Sequence, residues 1–153
     1  MFKNNVINFY KNEQILNKNF KYFSAIKDIK RILKYVSKDF ENPLEMSVYI
    51  CDSKKMRKLN NEHRNIDKST DVLSFPHNEL DNKNLYIGDI FINEDILEEQ
   101  SKEINSNPYI ELKFLVMHGI LHLIGYDHNN IAAERKMISK QQEIFKNLKI
   151  RKW

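Results

Sequence analysis

The chain has little cysteine, glycine and proline: one, three and three residues among 153. With Cys51 alone, an intramolecular disulfide and a cysteine-based structural zinc site are both excluded. We expect Cys51 to be a core residue in a reducing compartment.

The longest apolar run, Phe114 to Gly125, is broken by two histidines and is too short to span a bilayer. The first ten residues have no apolar segment of the signal-peptide kind. These absences predict a cytoplasmic protein with no membrane partner.

The composition is that of a soluble globular protein. Hydrophobic residues make up 41% and charged residues 30%, with a net charge of +4 and a pI near 9.0. A chain of this length is expected to form one domain, here residues 1–153, with a sizeable core. The mild positive charge is compatible with a polyanionic partner but identifies none.

Hydrophobic periodicity predicts an α+β fold, a single-domain layered structure with one mixed sheet of about four strands and about five helices. The β–α–β order of the first strands favours parallel pairing, and the short connection between the last two favours an antiparallel pair. Pro76 is expected to stop the third strand, and residues 77–84 to form a polar connection. The predicted strands lie near residues 6–9, 46–51, 71–75 and 85–92. The predicted helices lie near residues 14–40, 53–63, 94–104, 108–125 and 130–148. The first of these helical segments is either one long helix or two consecutive helices.

Three histidines at positions i, i+4 and i+10 are the most informative motif of the chain. His118 and His122 fall on one face of a helix. Gly125 can adopt the left-handed conformation that ends a helix and turns the chain back, so that His128 returns as a third ligand. Three protein ligands with an open position are typical of a catalytic zinc site. Tyr126 and Asp127 are expected to brace this turn or one of the histidines.

The spacing is that of the metzincin peptidases, with one difference. Peptidases of that kind carry a glutamate after the first histidine, which acts as the general base. Gly119 stands there in this chain and cannot do that work. A glycine inside a helix favours one of two explanations: close packing of the helix against a strand, or room for a metal pocket or a substrate.

Three segments resemble the YbeY family of single-domain bacterial metal-dependent endoribonucleases. They are the histidine motif, the segment from Leu59 to Pro76 that contains Arg64, and the segment from Leu85 to Ile90. Their order and spacing, and the length of the chain, agree with the family throughout. His63 and Ser69 stand where the family usually has tyrosine and proline.

The resemblance implies one Zn²⁺ per chain on His118, His122 and His128, with Arg64 and His118 as catalytic residues and no small-molecule cofactor. It implies a single-strand-specific endoribonuclease that acts on rRNA at the 3′ end of the small-subunit rRNA and in ribosome quality control, with rRNA and the ribosome as partners. A guanidinium can hold a phosphate through two hydrogen bonds, which suits Arg64 to this role. The sequence does not fix the oligomeric state, and a monomer is the expectation.

Two other functions stay open on the sequence. One is a non-catalytic ribosome-assembly factor that contains a metal. The other is a zinc peptidase, against which Gly119 argues.

Overall fold

The computed structural model describes residues 4–17 and 19–150; residues 1–3, 18 and 151–153, which the single-domain prediction includes, lie outside it. The described part forms one mixed sheet in the strand order β2-β1-β3-β5-β4. The predicted α+β fold is confirmed. The strands are β1 Val6–Lys11, β2 Gln14–Ile15, β3 Leu44–Cys51, β4 Val72–Asp81 and β5 Asn84–Asn93; the helices are α1 Ile26–Val36, α2 Ser53–Arg64, α3 Glu94–Glu103, α4 Pro108–Leu123 and α5 Ile131–Leu148.

The strand pairing follows the predicted pattern. β3 lies parallel to β1 and to β5, and β4 lies antiparallel to β5. The sheet has five strands rather than about four, because the two-residue β2 folds back on β1 as an antiparallel hairpin. Asn12 and Glu13 form the turn of that hairpin with positive φ values of 51° and 66°.

The predicted helix from residue 14 is wrong in its first half. Residues 14–15 pair with β1 instead, and the Leu16 N–H donates to the Phe9 carbonyl at 3.0 Å. After a short 3₁₀ turn at Phe23–Ala25, α1 begins only at Ile26. The apolar side chains before it reach the core from irregular backbone, so their helical spacing reflects burial and not a helix.

Pro76 does not end β4, which continues to Asp81. β4 is an edge strand of the sheet, where a missing N–H costs no ladder bond on the open side. The register also shifts between Pro76 and Glu79, opposite Gly88. The predicted polar connection is therefore a hairpin, with Asn82 at its turn in the left-handed region.

The main core lies between the sheet and α4. Every second residue of β3, from Leu44 to Ile50, is buried on this side. α4 is apolar on most of its surface and also contacts α1, α3 and α5. Among the described helices, none is both long and apolar enough to cross a membrane.

A smaller cluster of Met56, Leu59 and Leu73 attaches α2 to the other face of the sheet. Asp52 caps α2 by accepting from the Lys55 N–H at 2.8 Å. Cys51 is half-buried beside this cluster, and burial raises the pKa of its thiol to about 12.

Gly119 lies where α4 packs against β5. A Cβ at this position would lie 2.8 Å from Cδ1 and 3.0 Å from Cγ2 of the fully buried Ile90. Of the two explanations for this glycine, close packing of the helix against a strand is the one that these contacts support.

We expect Gly119→Ala to lower the free energy of unfolding by up to about 2 kcal/mol. Overpacking costs roughly 1–3 kcal/mol, and the better helix propensity of alanine offsets about 1 kcal/mol. Denaturant unfolding measures the change. Ile90→Val removes the nearest methyl group, so the double variant should lose less stability than the two single variants added together. If the losses of stability in the two single variants add up to that of the double variant, Gly119 is not explained by close packing against Ile90.

A second buried feature of α4 is Glu111, whose side chain is only 6% exposed. Its Oε2 has no hydrogen-bond partner within the described part of the chain. Burial raises the pKa of this carboxyl above its ordinary 4.5, and the charge of Asp71 acts in the same direction.

Since the pKa of Glu111 is raised on folding, the folded state binds its proton more tightly than the unfolded chain does. The resulting stability is present below the unfolded pKa and is lost as the pH rises through the folded pKa. We expect Glu111→Gln, which mimics the neutral acid, to raise Tm at about pH 8 and to have a smaller effect at about pH 5. The exposed Glu103→Gln is the control. A Tm difference that does not depend on pH would show that ionisation of Glu111 is not the cause.

Candidate metal centre and its cleft

The three histidines meet at the C-terminal end of α4. His118 and His122 occupy its last two turns, and His128 lies in the loop before α5. One nitrogen from each ring lies within 4.8 Å of the other two, and the Nε2 atoms of His118 and His122 are 3.0 Å apart. The structure brings together all three residues that the sequence predicts as ligands, in a group that could hold a metal ion.

The turn after α4 brings His128 back to the other two rings. The Gly125 N–H donates to the His122 carbonyl at 3.1 Å, and the Tyr126 N–H donates to the Leu121 carbonyl at 2.9 Å. Gly125 has a φ of +106°, a conformation that other residues rarely adopt. Asp127 Oδ1 accepts from the His128 N–H at 2.7 Å. Tyr126 and Asp127 thus brace the turn, as predicted.

The electrostatics of the cluster suit metal ligands. Burial, followed by the neighbouring His122 and His128, lowers the pKa of His118 to about 4. Burial and His128 also lower the pKa of His122. Both rings are therefore neutral at pH 7 and present lone pairs, which is the state that binds a metal. A set of imidazole nitrogens suits zinc and other first-row transition metals better than it suits magnesium or calcium.

A second contact orients each of the two helical histidines. The Gln141 side-chain amide lies 3.1 Å from His118 Nδ1. The His122 ring hydrogen-bonds to the backbone of Tyr126, which partly opposes the lowering of its pKa. When Nε2 of His118 is a ligand, Nδ1 carries the proton and the amide accepts it through its oxygen. Sequence reasoning missed Gln141 because it is in α5, well separated from the motif, where a polar residue carries no distinct signal.

Arg64 lies in the same cleft as the histidines. It is the last residue of α2 and is exposed, and the helix ends at Asn65 in the left-handed conformation. The cleft has a volume of about 760 Å³, and its lining includes Arg64, the three histidines and residues 70–76 at the start of β4. The structure thus places Arg64 where the sequence predicts it, facing the same space as the candidate metal ligands.

The loop between α2 and β4 is fixed at several points. The Arg57 guanidinium binds both carboxylate oxygens of Asp67 at 2.8 and 3.0 Å. Asn60 Nδ2 donates to the Lys68 carbonyl at 2.8 Å, and the buried Asn93 donates to Ser69 Oγ at 2.8 Å. Ser69 therefore has a specific partner, and the backbone of the loop that borders the cleft is held in one conformation.

The comparisons with known proteins agree with this geometry. The family model described as Endoribonuclease YbeY matches residues 8–149. The chain belongs to the YbeY family. The match spans all five helices and all the strands of the sheet except the first residues of β1. It also includes Arg64 and the three histidines.

Individual relatives give the same result. An Endoribonuclease YbeY from Acetivibrio thermocellus is 41% identical over 81% of this chain and 84% of its own length. Another from Acholeplasma laidlawii is 38% identical over 86% of this chain and 97% of its own length. A solution structure from Thermotoga maritima superimposes with a TM-score of 0.58 at 28% identity, covering 94% of this chain and 91% of that one.

We expect His122→Ala to weaken zinc affinity by more than ~100-fold. Loss of a residue that only orients a metal ligand typically lowers metal affinity by roughly 10–100-fold, and loss of the ligand itself should cost more. Gln141→Ala should have an effect of that smaller size. Competition with a chromophoric zinc chelator measures both. His63→Ala, which alters a histidine of the cleft outside the cluster, should change nothing. Full zinc affinity in His122→Ala would remove this residue from the ligand set.

Proposed function

We propose that the protein is a metal-dependent endoribonuclease that cleaves single-stranded rRNA. Membership of the YbeY family supports cleavage of RNA in rRNA processing. The observation that carries the proposal is the shared cleft, which is lined by Arg64 and by the three clustered histidines. We further propose that it matures the 3′ end of the small-subunit rRNA and acts in ribosome quality control, as a cytoplasmic monomer that associates with the ribosome.

We propose His118, His122 and His128 as the ligands of one zinc ion. Three imidazoles with a further open position are the donor set of catalytic zinc. A zinc ion held there would supply Lewis-acid chemistry, polarising a phosphoryl oxygen and lowering the pKa of water. The residues of the chain contribute the neutral nitrogens and, through Gln141 and the Tyr126 backbone, their orientation.

Arg64 is proposed to bind the phosphate that is cut. In the described part of the chain its guanidinium has no carboxylate partner, whereas Arg57 on the same helix is held by Asp67. The planar guanidinium of Arg64 can therefore donate two parallel hydrogen bonds to phosphate oxygens. Charge that builds up on the phosphorus centre during cleavage would be stabilised by this cation.

A peptidase is disfavoured by the position after the first histidine. Gly119 packs on Ile90 and has no side chain, so this position supplies no general base for attack on an amide. RNA cleavage makes a smaller demand, because the ribose 2′-hydroxyl of the substrate is already next to the phosphate and can act as the nucleophile.

The proposal is tested by incubating zinc-loaded protein with single-stranded rRNA fragments and, separately, with casein. We expect RNA cleavage that disappears in His118→Ala, and no proteolysis. Zinc-dependent ribosome association without RNA cleavage would support the assembly factor in place of the nuclease. Proteolysis that is lost in His118→Ala would support the peptidase.

For Arg64→Ala we expect a fall in kcat/KM for RNA of about 10²–10³-fold, the typical cost of losing one contact that stabilises developing charge. Arg64→Lys should recover only part of the lost kcat/KM, since an ammonium group cannot donate the two parallel hydrogen bonds that a guanidinium donates to phosphate oxygens. Zinc content and Tm should stay within the range of the exposed control Lys58→Ala. Unchanged kcat/KM in Arg64→Ala would exclude a role for this residue.

A further inference from the structure

We propose that a second, smaller cavity beside the histidines is a nucleobase subsite that prefers guanine. It would hold the base next to the phosphate that is cut, so this inference rests on the proposed function. The cavity has a volume of about 290 Å³ and lies between α4, α5 and the start of β4.

The position of the cavity connects it with the cleft. The smaller cavity and the cleft share four lining residues: Asp71, Val72, His118 and His128. An RNA strand with a phosphate between Arg64 and the histidines would therefore have an adjacent base at the mouth of the smaller cavity. Its volume is at the low end of the ~300–1,000 Å³ of small-molecule sites, which suits one base and not a longer segment.

The walls suit a flat, apolar group. Leu115 and the buried Met137 form part of the lining, together with the ring of Phe114, whose centroid is 6.2 Å from that of His118. Ile138 also lines the cavity and is 45% exposed, so its aliphatic side chain is accessible to a ligand there. Unpaired RNA bases bind proteins through contacts of this kind, with an aromatic or aliphatic side chain against the face of the base.

Carboxylates are the charged groups of the cavity; its other polar lining residues are two of the histidines and Gln141, whose amide both donates and accepts. Its lining contains the carboxylates of Asp71 and Glu134 and, in the described part of the chain, no lysine or arginine. Asp71 Oδ1 accepts from the Val72 N–H at 2.8 Å, which fixes the carboxylate and leaves Oδ2 for a ligand. These carboxylates can accept hydrogen bonds from N–H groups of a ligand.

This arrangement of acceptors discriminates between bases. Guanine offers two adjacent donors, N1–H and the 2-amino group, which match the two oxygens of the Glu134 carboxylate; within the described part of the chain neither of these oxygens has a hydrogen-bond partner, whereas Oδ1 of Asp71 is already engaged. Adenine and cytosine offer an amino group beside an acceptor, and uracil offers one N–H between two carbonyl oxygens. A carboxylate in the cavity therefore favours guanine over the other bases and is least compatible with uracil.

The inference is tested by titrating full-length, zinc-loaded protein with GMP and with UMP, followed by NMR or calorimetry. Both nucleotides carry the same phosphate, so a difference in Kd reports the base. We expect GMP to bind at least about fivefold more tightly, the least that a good two-bond contact provides. Glu134→Gln should abolish most of this preference for GMP. Ile138→Ser should weaken the binding of both nucleotides. The matched control Glu99→Gln, an exposed residue of α3, should behave as the unaltered protein.

Equal Kd values for the two nucleotides would overturn the proposal, as would a preference that survives Glu134→Gln. Sequencing the ends left on a randomised RNA provides an independent measurement, in which guanine should be enriched beside the cut in a Glu134-dependent way. If RNA is not cleaved but the preference for GMP and its loss in Glu134→Gln are seen, the base subsite stands and the nuclease function fails. If RNA is cleaved but no base preference is seen, the nuclease function stands and the base subsite fails.

Discussion

The close approach of α4 to β5 at Gly119 is the constraint on which the site depends. Because residue 119 has no side chain, Ile90 lies directly against the helix backbone, and α4 lies deep in the core. One turn of the same helix then places His118 and His122 at the edge of that core, where burial lowers their pKa values and keeps the rings neutral. A helix held further from the sheet would leave the histidines more hydrated, and as competing proton acceptors they would be weaker metal ligands.

The charges around the cleft are divided between its two sides. The histidines contribute neutral nitrogens, so a bound divalent ion would keep its full positive charge, and Arg64 adds a second cation across the cleft. Most other basic residues lie elsewhere; Lys11, Lys21 and Arg57, for example, are paired with carboxylates. The net charge of +4 is therefore a poor guide to the RNA-binding surface, and the local arrangement is the better one.

Those parts of the molecule that depend on local sequence could be predicted. The histidine cluster follows from helical spacing and the Gly125 turn, and α2 follows from its Asp52 cap. The segment after Gln14 could not be predicted, because its apolar side chains are buried from irregular backbone and their spacing imitates a helix. Pro76 was misleading because its tolerance depends on β4 being an edge strand, which is a property of the whole sheet. The contact of Gln141 with His118 depends on how α5 packs beside α4, and the burial of Glu111 depends on tertiary surroundings that include Asp71. A single sequence contains no pattern for either.

The edge strand that was hardest to predict also shapes the cleft. Gly88, with a φ of +141°, faces the Phe75 carbonyl so closely that a Cβ there would lie 2.2 Å from it. This contact and the shifted register bend β4 just beyond the residues that form one wall of the cleft. Asp71, at the start of that wall, accepts from the Asn93 N–H at 2.9 Å through its carbonyl, which fixes it to the end of β5. The carboxylate that borders both cavities is thereby attached to the same strand that positions α4. Asp71 and the two helical histidines are therefore attached to the same core, and His128 joins them from the loop before α5.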